Sequence, residues 1–247
     1  MSNQRPAPRL LSVHAKRQIT PHMLRITLGG EALAEFPKDQ ESGYVKLIWP
    51  KDASNAVVRT YTIRAQRALE LDIDFVLHDE AGPASLWASS VAVGESIWVG
   101  GPGARKLINT EADYFVLAGD MTALPALSVN LEKLPRNAQG KCFIEVISHD
   151  DIQTLTHPEG IELHWLINQA PGSQPMLLAN ALAEHHWPHQ STSVWAACEF
   201  SSMRAIRALV RERMDMRSGR VYISSYWKLG ASEEQHKVSK REDAQNH

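Results

Sequence analysis

Arg59-Thr60-Tyr61-Thr62-Ile63-Arg64 reads as a β-strand that carries a cation, an aromatic ring and a hydroxyl within four consecutive positions. Aromatic and β-branched side chains favour the pleated, half-buried setting of a sheet. On such a strand Arg59 and Tyr61 project from one face, roughly 6–7 Å apart, and Thr62 projects from the other unless the strand bends at its end. The same period of two runs through Met23 to Leu28, Tyr44 to Trp49 and Leu69 to His78. In the last of these, odd positions are apolar and even ones mostly polar. The pattern predicts one buried and one wet face, as in antiparallel sheet. Several short strands of this kind, punctuated by Gly and Pro, predict a barrel over about the first 110 residues.

Beyond about residue 113 the rhythm changes. Apolar strands at Tyr114–Ala118, Cys142–Ile147, Leu163–Ile167, Val194–Ala197 and Val221–Ile223 alternate with helical stretches. In one stretch Met203, Ile206, Leu209 or Val210, and Met214 recur at helix spacing, with Arg204, Arg207 and Arg211 on the opposite side. Strand–helix alternation predicts a parallel sheet covered on both faces. The expected organisation is a barrel over 1–110, an α/β domain over 111–227, and a charged tail or helix over 228–247.

Composition excludes several classes. The 247 residues carry a formal net charge of −2, against the basic patch of a nucleic-acid partner. No run approaches the roughly 18 apolar residues of a membrane span. The segment Met1 to Leu10 lacks the apolar centre of a secretion signal. Cys142 and Cys198, the two cysteines, sit inside apolar runs and read as reduced, buried thiols of a cytoplasmic protein. An iron–sulfur centre needs four.

Two turns are candidates for chemistry. Gly82-Pro83-Ala84-Ser85-Leu86-Trp87-Ala88 follows the strand ending at His78, with Gly82 for a tight turn and Pro83 for a first helical turn. Free N–H groups at such a start, with the helix dipole, suit a pyrophosphate. Gly119-Asp120-Met121-Thr122-Ala123-Leu124-Pro125-Ala126 opens a helix after the first parallel strand, where α/β sheets bind ligands. It lacks the several glycines of a dinucleotide fingerprint, and Asp120 or Thr122 also suits a plain helix cap. A flavin nucleotide needs charge for its phosphates, a ring against the isoalloxazine and a hydrogen-bonding group near its N5 edge. Arg59, Tyr61 and Thr62 are of those types.

Taken in order, the Arg59–Arg64 strand, His78…Gly82-Pro83-Ala84-Ser85…Trp87-Ala88 and Gly119-Asp120…Thr122-Ala123-Leu124-Pro125-Ala126 resemble the siderophore-interacting protein family, a branch of the ferredoxin–NADP reductase superfamily. Val45–Pro50, Gly101-Pro102, Glu199…Met203-Arg204-Ala205 and Tyr226-Trp227-Lys228 extend the resemblance over nearly the whole chain. It implies an N-terminal antiparallel six-stranded flavin-binding β-barrel and a parallel-sheet nicotinamide-type α/β domain, with FAD held non-covalently. The implied activity is reduction of cytoplasmic ferric siderophores with release of Fe(II). Carried over by position, Arg59, Thr60, Tyr61, Thr62 and Arg64 would contact the flavin or its phosphates. His78, Ala84, Ser85 and Trp87 would line the pyrophosphate and ribose, and Asp120, Thr122 and Ala123 the adenine end. Glu199 matches the nicotinamide side, and Trp227, after Tyr226, an aromatic pair near the flavin ring.

Two departures stand out: Cys198 replaces a glycine, and Met121 stands where an acidic residue is common. Cys198 lies five before Met203, the superfamily's spacing for a cysteine beside the nicotinamide; it equally suits a buried filler. The flavin carries the chemistry, so no catalytic acid or base is expected. Cations are expected to attract the anionic chelate: Lys46, which matches a substrate-side lysine in the family, then Arg105 and Lys106, and Lys228, Lys237, Lys240 and Arg241 from the tail. His185-His186-Trp187-Pro188-His189 reads as a surface loop and not a zinc site, because Pro188 breaks the helix spacing. NADH, NADPH or reduced ferredoxin is the expected donor, and a monomer the default. The alternatives are a general flavin reductase or electron-transfer flavoprotein, and a siderophore-binding carrier without turnover.

Overall fold

The computed structural model describes residues 7–50, 55–78, 82–188 and 191–245. They form two units, divided between Lys106 and Leu107.

The first unit holds β1 (Arg9–Thr20), β2 (Met23–Gly29), β3 (Tyr44–Pro50), β4 (Ala56–Thr62), β5 (Ala65–Arg67), β6 (Glu70–Val76), helix α1 (Pro83–Ser90) and β7 (Ser96–Gly103). The strands make one antiparallel sheet in the order β4-β3-β7-β1-β2-β6-β5. Its two edges, β4 and β5, are consecutive in sequence, so the sheet rolls up on itself. The crossing is made at Ile63, whose N–H donates to Gly43 O on the β3 side, and at Arg64, whose N–H donates to Asp72 O on β6. Ile63 is wholly buried at this seam. The crossing brings the two edges of the sheet together and gives it a barrel-like form. Seven strands are present where six were expected, because the short β5 pairs with β6 over three residues.

The two-faced reading of β6 needs correction. Asp72 and Asp74 occupy the positions expected to be wet, yet they are 7% and 9% exposed. Arg25, opposite Asp74 in register, covers it through Nε and Nη2 at 2.6 and 2.7 Å. Arg67 reaches Asp72 at 2.8 and 2.9 Å. A carboxylate tolerates burial when a guanidinium meets it in this forked geometry. Behind them Ile26, Leu28, Val45, Leu47, Leu71, Ile73 and Phe75 form the barrel core.

The second unit contains β8 (Tyr114–Gly119), α2 (Leu124–Lys133), β9 (Gln139–Val146), β10 (Ile161–Ile167), α3 (Leu177–Ala183), β11 (Thr192–Glu199), α4 (Phe200–Arg213), β12 (Val221–Trp227) and α5 (Glu233–Gln245). Its five strands are all parallel, in the order β10-β9-β8-β11-β12. The chain leaves β8 toward one edge and returns through β11 toward the other. The order therefore reverses between β8 and β11, the place where open α/β sheets offer a crevice. Phe143, Val194, Ala196 and Cys198 pack against Leu178 and Leu182 of α3 and Met203, Ile206 and Val210 of α4. Met214 falls just past the end of α4, and Arg207 is drawn in by an ion pair with Asp243. The polar segment after 228 is helical in α5, held along β12 by the Ser225 Oγ–His236 Nε2 contact at 2.8 Å.

Candidate functional site

In the first unit an aromatic run organises the predicted ledge. The Tyr61 ring lies 4.4 Å from Phe75, Phe75 lies 5.8 Å from Trp87, and Trp87 meets Trp49 edge-on at 5.6 Å. Strand β4 and helix α1 share no direct pairing. This run joins them through the barrel core: Phe75 is wholly buried, and Tyr61, Trp87 and Trp49 pack against it partly buried. Arg59 shares the Tyr61 face by strand alternation, and its Nη1 donates to Val58 O at 2.8 Å. Thr62 still pairs with Tyr44, and just after it the backbone partner changes from Gly43 to Asp72.

Helix α1 starts at Gly82 and Pro83, with no side-chain cap and no acidic residue in its first turn among the described residues. Space beyond Gly82 is open, and Ala84 and Ser85 are buried in that turn. Among the described residues no carboxylate caps these N–H groups, so the turn offers donors of the kind a bound phosphate takes. His78 is exposed at the end of β6.

Lys46 pairs with Thr60 across β3 and β4, its Nζ meeting Thr60 Oγ1 and lying 5.4 Å from the centroid of the Tyr44 ring. The Tyr44 ring sits where a Cβ on Gly103 would fall, only 2.0 Å away. Arg105 packs along Gly43, and its Nε is buried with no hydrogen-bond partner among the described residues. Lys46 thus lies near the exposed Tyr44, and Arg105 beside the neighbouring Gly43. Tyr44, Trp49 and Phe75 were not singled out from sequence. Trp49 Nε1 is a further buried donor without a partner.

In the second unit Asp120, Glu145 and Glu199 stand at the carboxyl ends of three adjacent strands. They are 6%, 6% and 3% exposed. Asp120 Oδ1 accepts from the Thr122 N–H and hydroxyl at 2.9 and 2.6 Å. Its Oδ2 accepts from Glu199 N–H and Trp227 Nε1, both at 2.8 Å. Thr122 and Asp120, expected near an adenine, thus direct their polar groups at each other, and Ala123 also donates to Asp120. Glu199 Oε1 accepts from Leu229 N–H, and Oε2 from Ser201 and Ser202 N–H. Glu145 Oε1 accepts from Asn168 Nδ2 at 2.8 Å.

Burial raises Asp120, against the pull of its donors from Thr122 and Trp227. Burial, with the charges of Asp120 and Glu199, raises Glu145 to about 7. Burial and the same three carboxylates push the Cys198 thiol well up, so it stays protonated and packs as an apolar group. Sequence reasoning missed Glu145 and Asn168. The available signal was a lone charge inside the apolar run Cys142–Ile147.

The tail cations mostly hold helix α5. Lys240 Nζ donates to Ser224 Oγ and Ser225 O at 3.0 and 2.9 Å. Lys228 Nζ reaches Ser239 Oγ and lies 4.9 Å from the Phe200 ring centroid. Lys237 pairs with Glu233 within the helix. In the His185 segment, the His185 ring packs 4.8 Å from His164 and 5.1 Å from Phe143. His189 lies outside the described residues.

A barrel-like antiparallel sheet followed by a doubly wound parallel sheet is the architecture of the ferredoxin-reductase-like class. Residues 12–57 and 49–106 match the siderophore-interacting FAD-binding domain, and residues 112–230 match the siderophore-interacting protein model. The chain belongs to the siderophore-interacting protein family. It is 36% identical over 258 residues to the ferric vibriobactin reductase ViuB of Vibrio cholerae, covering 95% of both chains. The crystal structure of the siderophore-interacting protein SipS from Aeromonas hydrophila is similar with a TM-score of 0.86 and 32% identity, covering 98% of this chain and 99% of that one. The ferredoxin-NADP+ reductase of Plasmodium falciparum, at 12% identity and a TM-score of 0.71, covering 89% of this chain and 96% of that one, shares the fold.

Proposed function

We propose that this chain reduces ferric siderophores with FAD in the cytoplasm, delivering electrons singly so that iron leaves its chelator as Fe(II). The observation that carries the reading is that Tyr61, on the strand with Arg59, is tied through Phe75 and Trp87 to helix α1, whose start has no side-chain cap among the described residues. When bound, FAD accepts two electrons at once and passes them on one at a time, which Fe(III) requires.

The residues present fit that cofactor. Arg59 and Arg64 supply charge for the phosphates, and the first turn of α1, with Ser85, supplies N–H groups. Tyr61 offers a ring to the isoalloxazine, Thr62 a hydroxyl, and Trp87 and His78 an edge for the ribose side. Lys46, near Tyr44, and Arg105, beside Gly43, attract the anionic chelate and raise its local concentration. The ViuB relative is named a ferric vibriobactin reductase, which supports a siderophore as the substrate class.

The test is anaerobic. The purified protein is expected to show a flavin absorption band that NADH, NADPH or reduced ferredoxin bleaches and that a ferric siderophore restores, with a ferrous-iron trap developing colour in step. A Lys46→Ala variant is expected to weaken chelate binding with flavin content unchanged. Turnover of free flavin without turnover of ferric chelates would make the protein a general flavin reductase. A colourless protein that binds chelates would make it a carrier.

A further inference from the structure

The reversal point between β8 and β11 is where an α/β sheet usually receives a dinucleotide, its pyrophosphate seated on the N–H groups of a helix start. At both helix starts here the chain's own carboxylates already accept from backbone N–H groups. At α2, the Thr122 and Ala123 N–H groups donate to Asp120 Oδ1 at 2.9 and 3.3 Å. Leu124 N–H donates to Asp120 O, and Pro125 has no N–H to offer. At α4, Ser201 and Ser202 N–H both donate to Glu199 Oε2. Leu229 N–H, from the segment after β12, takes the other Glu199 oxygen at 3.1 Å.

The loop after β10 closes the same edge. Gly172, at φ +80°, lies so near that an added Cβ would stand 3.0 Å from the Trp227 ring and 3.4 Å from Glu199 Cγ. Asn168 fixes this loop, accepting from Ala170 N–H, Ser173 Oγ and Gln174 Nε2 while donating to Glu145. Every partner of Asp120, Glu145 and Glu199 is an N–H or O–H dipole. None makes an ion pair with Lys, Arg or His among the described residues. Phosphates brought here would meet carboxylates with no cationic partner among the described residues and would compete with Asp120 and Glu199 for the Thr122, Ala123, Ser201 and Ser202 N–H groups.

We propose that Asp120 and Glu199 are specificity-determining residues that bar a dinucleotide's phosphates from this edge, so that the electron donor is recognised through its uncharged redox-active part. The inference rests on the oxidoreductase reading, since it concerns the donor, but flavin content is judged separately by visible absorption.

Two measurements on the full chain test it. The first is calorimetric titration with ADP-ribose and 2′-phospho-ADP-ribose, which carry the phosphates and no nicotinamide; no saturable binding below roughly 1 mM is expected. The second compares rates of flavin reduction by NADH and by 1-benzyl-1,4-dihydronicotinamide, which has no phosphate. Their second-order constants are expected to agree within roughly tenfold, whereas phosphates that contribute binding would separate them by more than roughly 100-fold. A Glu199→Gln variant, checked for folding by its thermal transition, is expected to gain ADP-ribose affinity at least roughly tenfold. Submillimolar ADP-ribose binding to the natural protein, a rate ratio above 100, or a folded Glu199→Gln variant with unchanged affinity overturns the proposal.

Discussion

Replacing Glu145 by Gln is expected to stabilise the second unit, and to do so only above acid pH. Folding raises the Glu145 carboxyl from the ordinary 4.5 to about 7, through burial first and then the charges of Asp120 and Glu199. The folded state therefore holds its proton more tightly than the unfolded chain. A raised acid makes stability fall as pH climbs from 4.5 to 7, and the full penalty applies above that window. At 1.36 kcal/mol per unit the penalty is about 3 kcal/mol. Glutamine keeps an Oε1 that can accept from Asn168 Nδ2 but carries no charge. The variant should exceed the natural protein by about 3 kcal/mol at pH 8 and match it within about 1 kcal/mol at pH 4.5. His236, lowered to about 4 by burial and Lys240, drives stability the opposite way between 4 and 6.5. It does so in both proteins and cancels from their difference. Both free cysteines, Cys142 and Cys198, are buried in the second unit. Thiol labelling across a urea series at each pH therefore reports this unit alone. A difference that stays flat with pH, or a variant less stable at pH 8, would refute the reasoning.

Two further outcomes follow from buried charge. Arg25→Leu strands Asp74 without its guanidinium and should cost the barrel about 3–5 kcal/mol, read as a lowered thermal midpoint. Adding Asp74→Leu should recover most of the loss, and a single variant as stable as the parent would show the pair to be dispensable. Trp227→Phe removes one donor from the buried Asp120 carboxylate and should cost about 1.5–3 kcal/mol at neutral pH. Because Asp120 is already raised by burial, that loss should shrink as pH falls and the carboxyl takes up a proton; a constant loss would place the effect in packing instead.

The parallel strands were legible because strands buried on both faces must be apolar throughout, and Cys142–Ile147 and Val194–Ala197 show it. The exception inside the first of them, Glu145, is tolerated because Asn168 donates to it and it can keep a proton. No local pattern announces a partner 23 residues away. The barrel's wet-face reading failed at Asp72 and Asp74 for a related reason. Their exposure was decided by Arg67 and by Arg25, which lies 49 residues before Asp74. Likewise Lys228 and Lys240 read as cations for the anionic chelate, whereas α5, folded back on β12, gives them serine partners.

Sequence alone determined the order of the two regimes, the strand that bears Arg59, Tyr61 and Thr62, and the glycine-proline start at residue 82, because periodicity and turn chemistry act over a few residues. Tertiary structure alone decided which helix starts remain open to an anion. Capping depends on which side chain the fold brings to the N–H groups: among the described residues none caps α1, whereas Asp120 accepts from the turn that opens α2 and Glu199 from the first turn of α4.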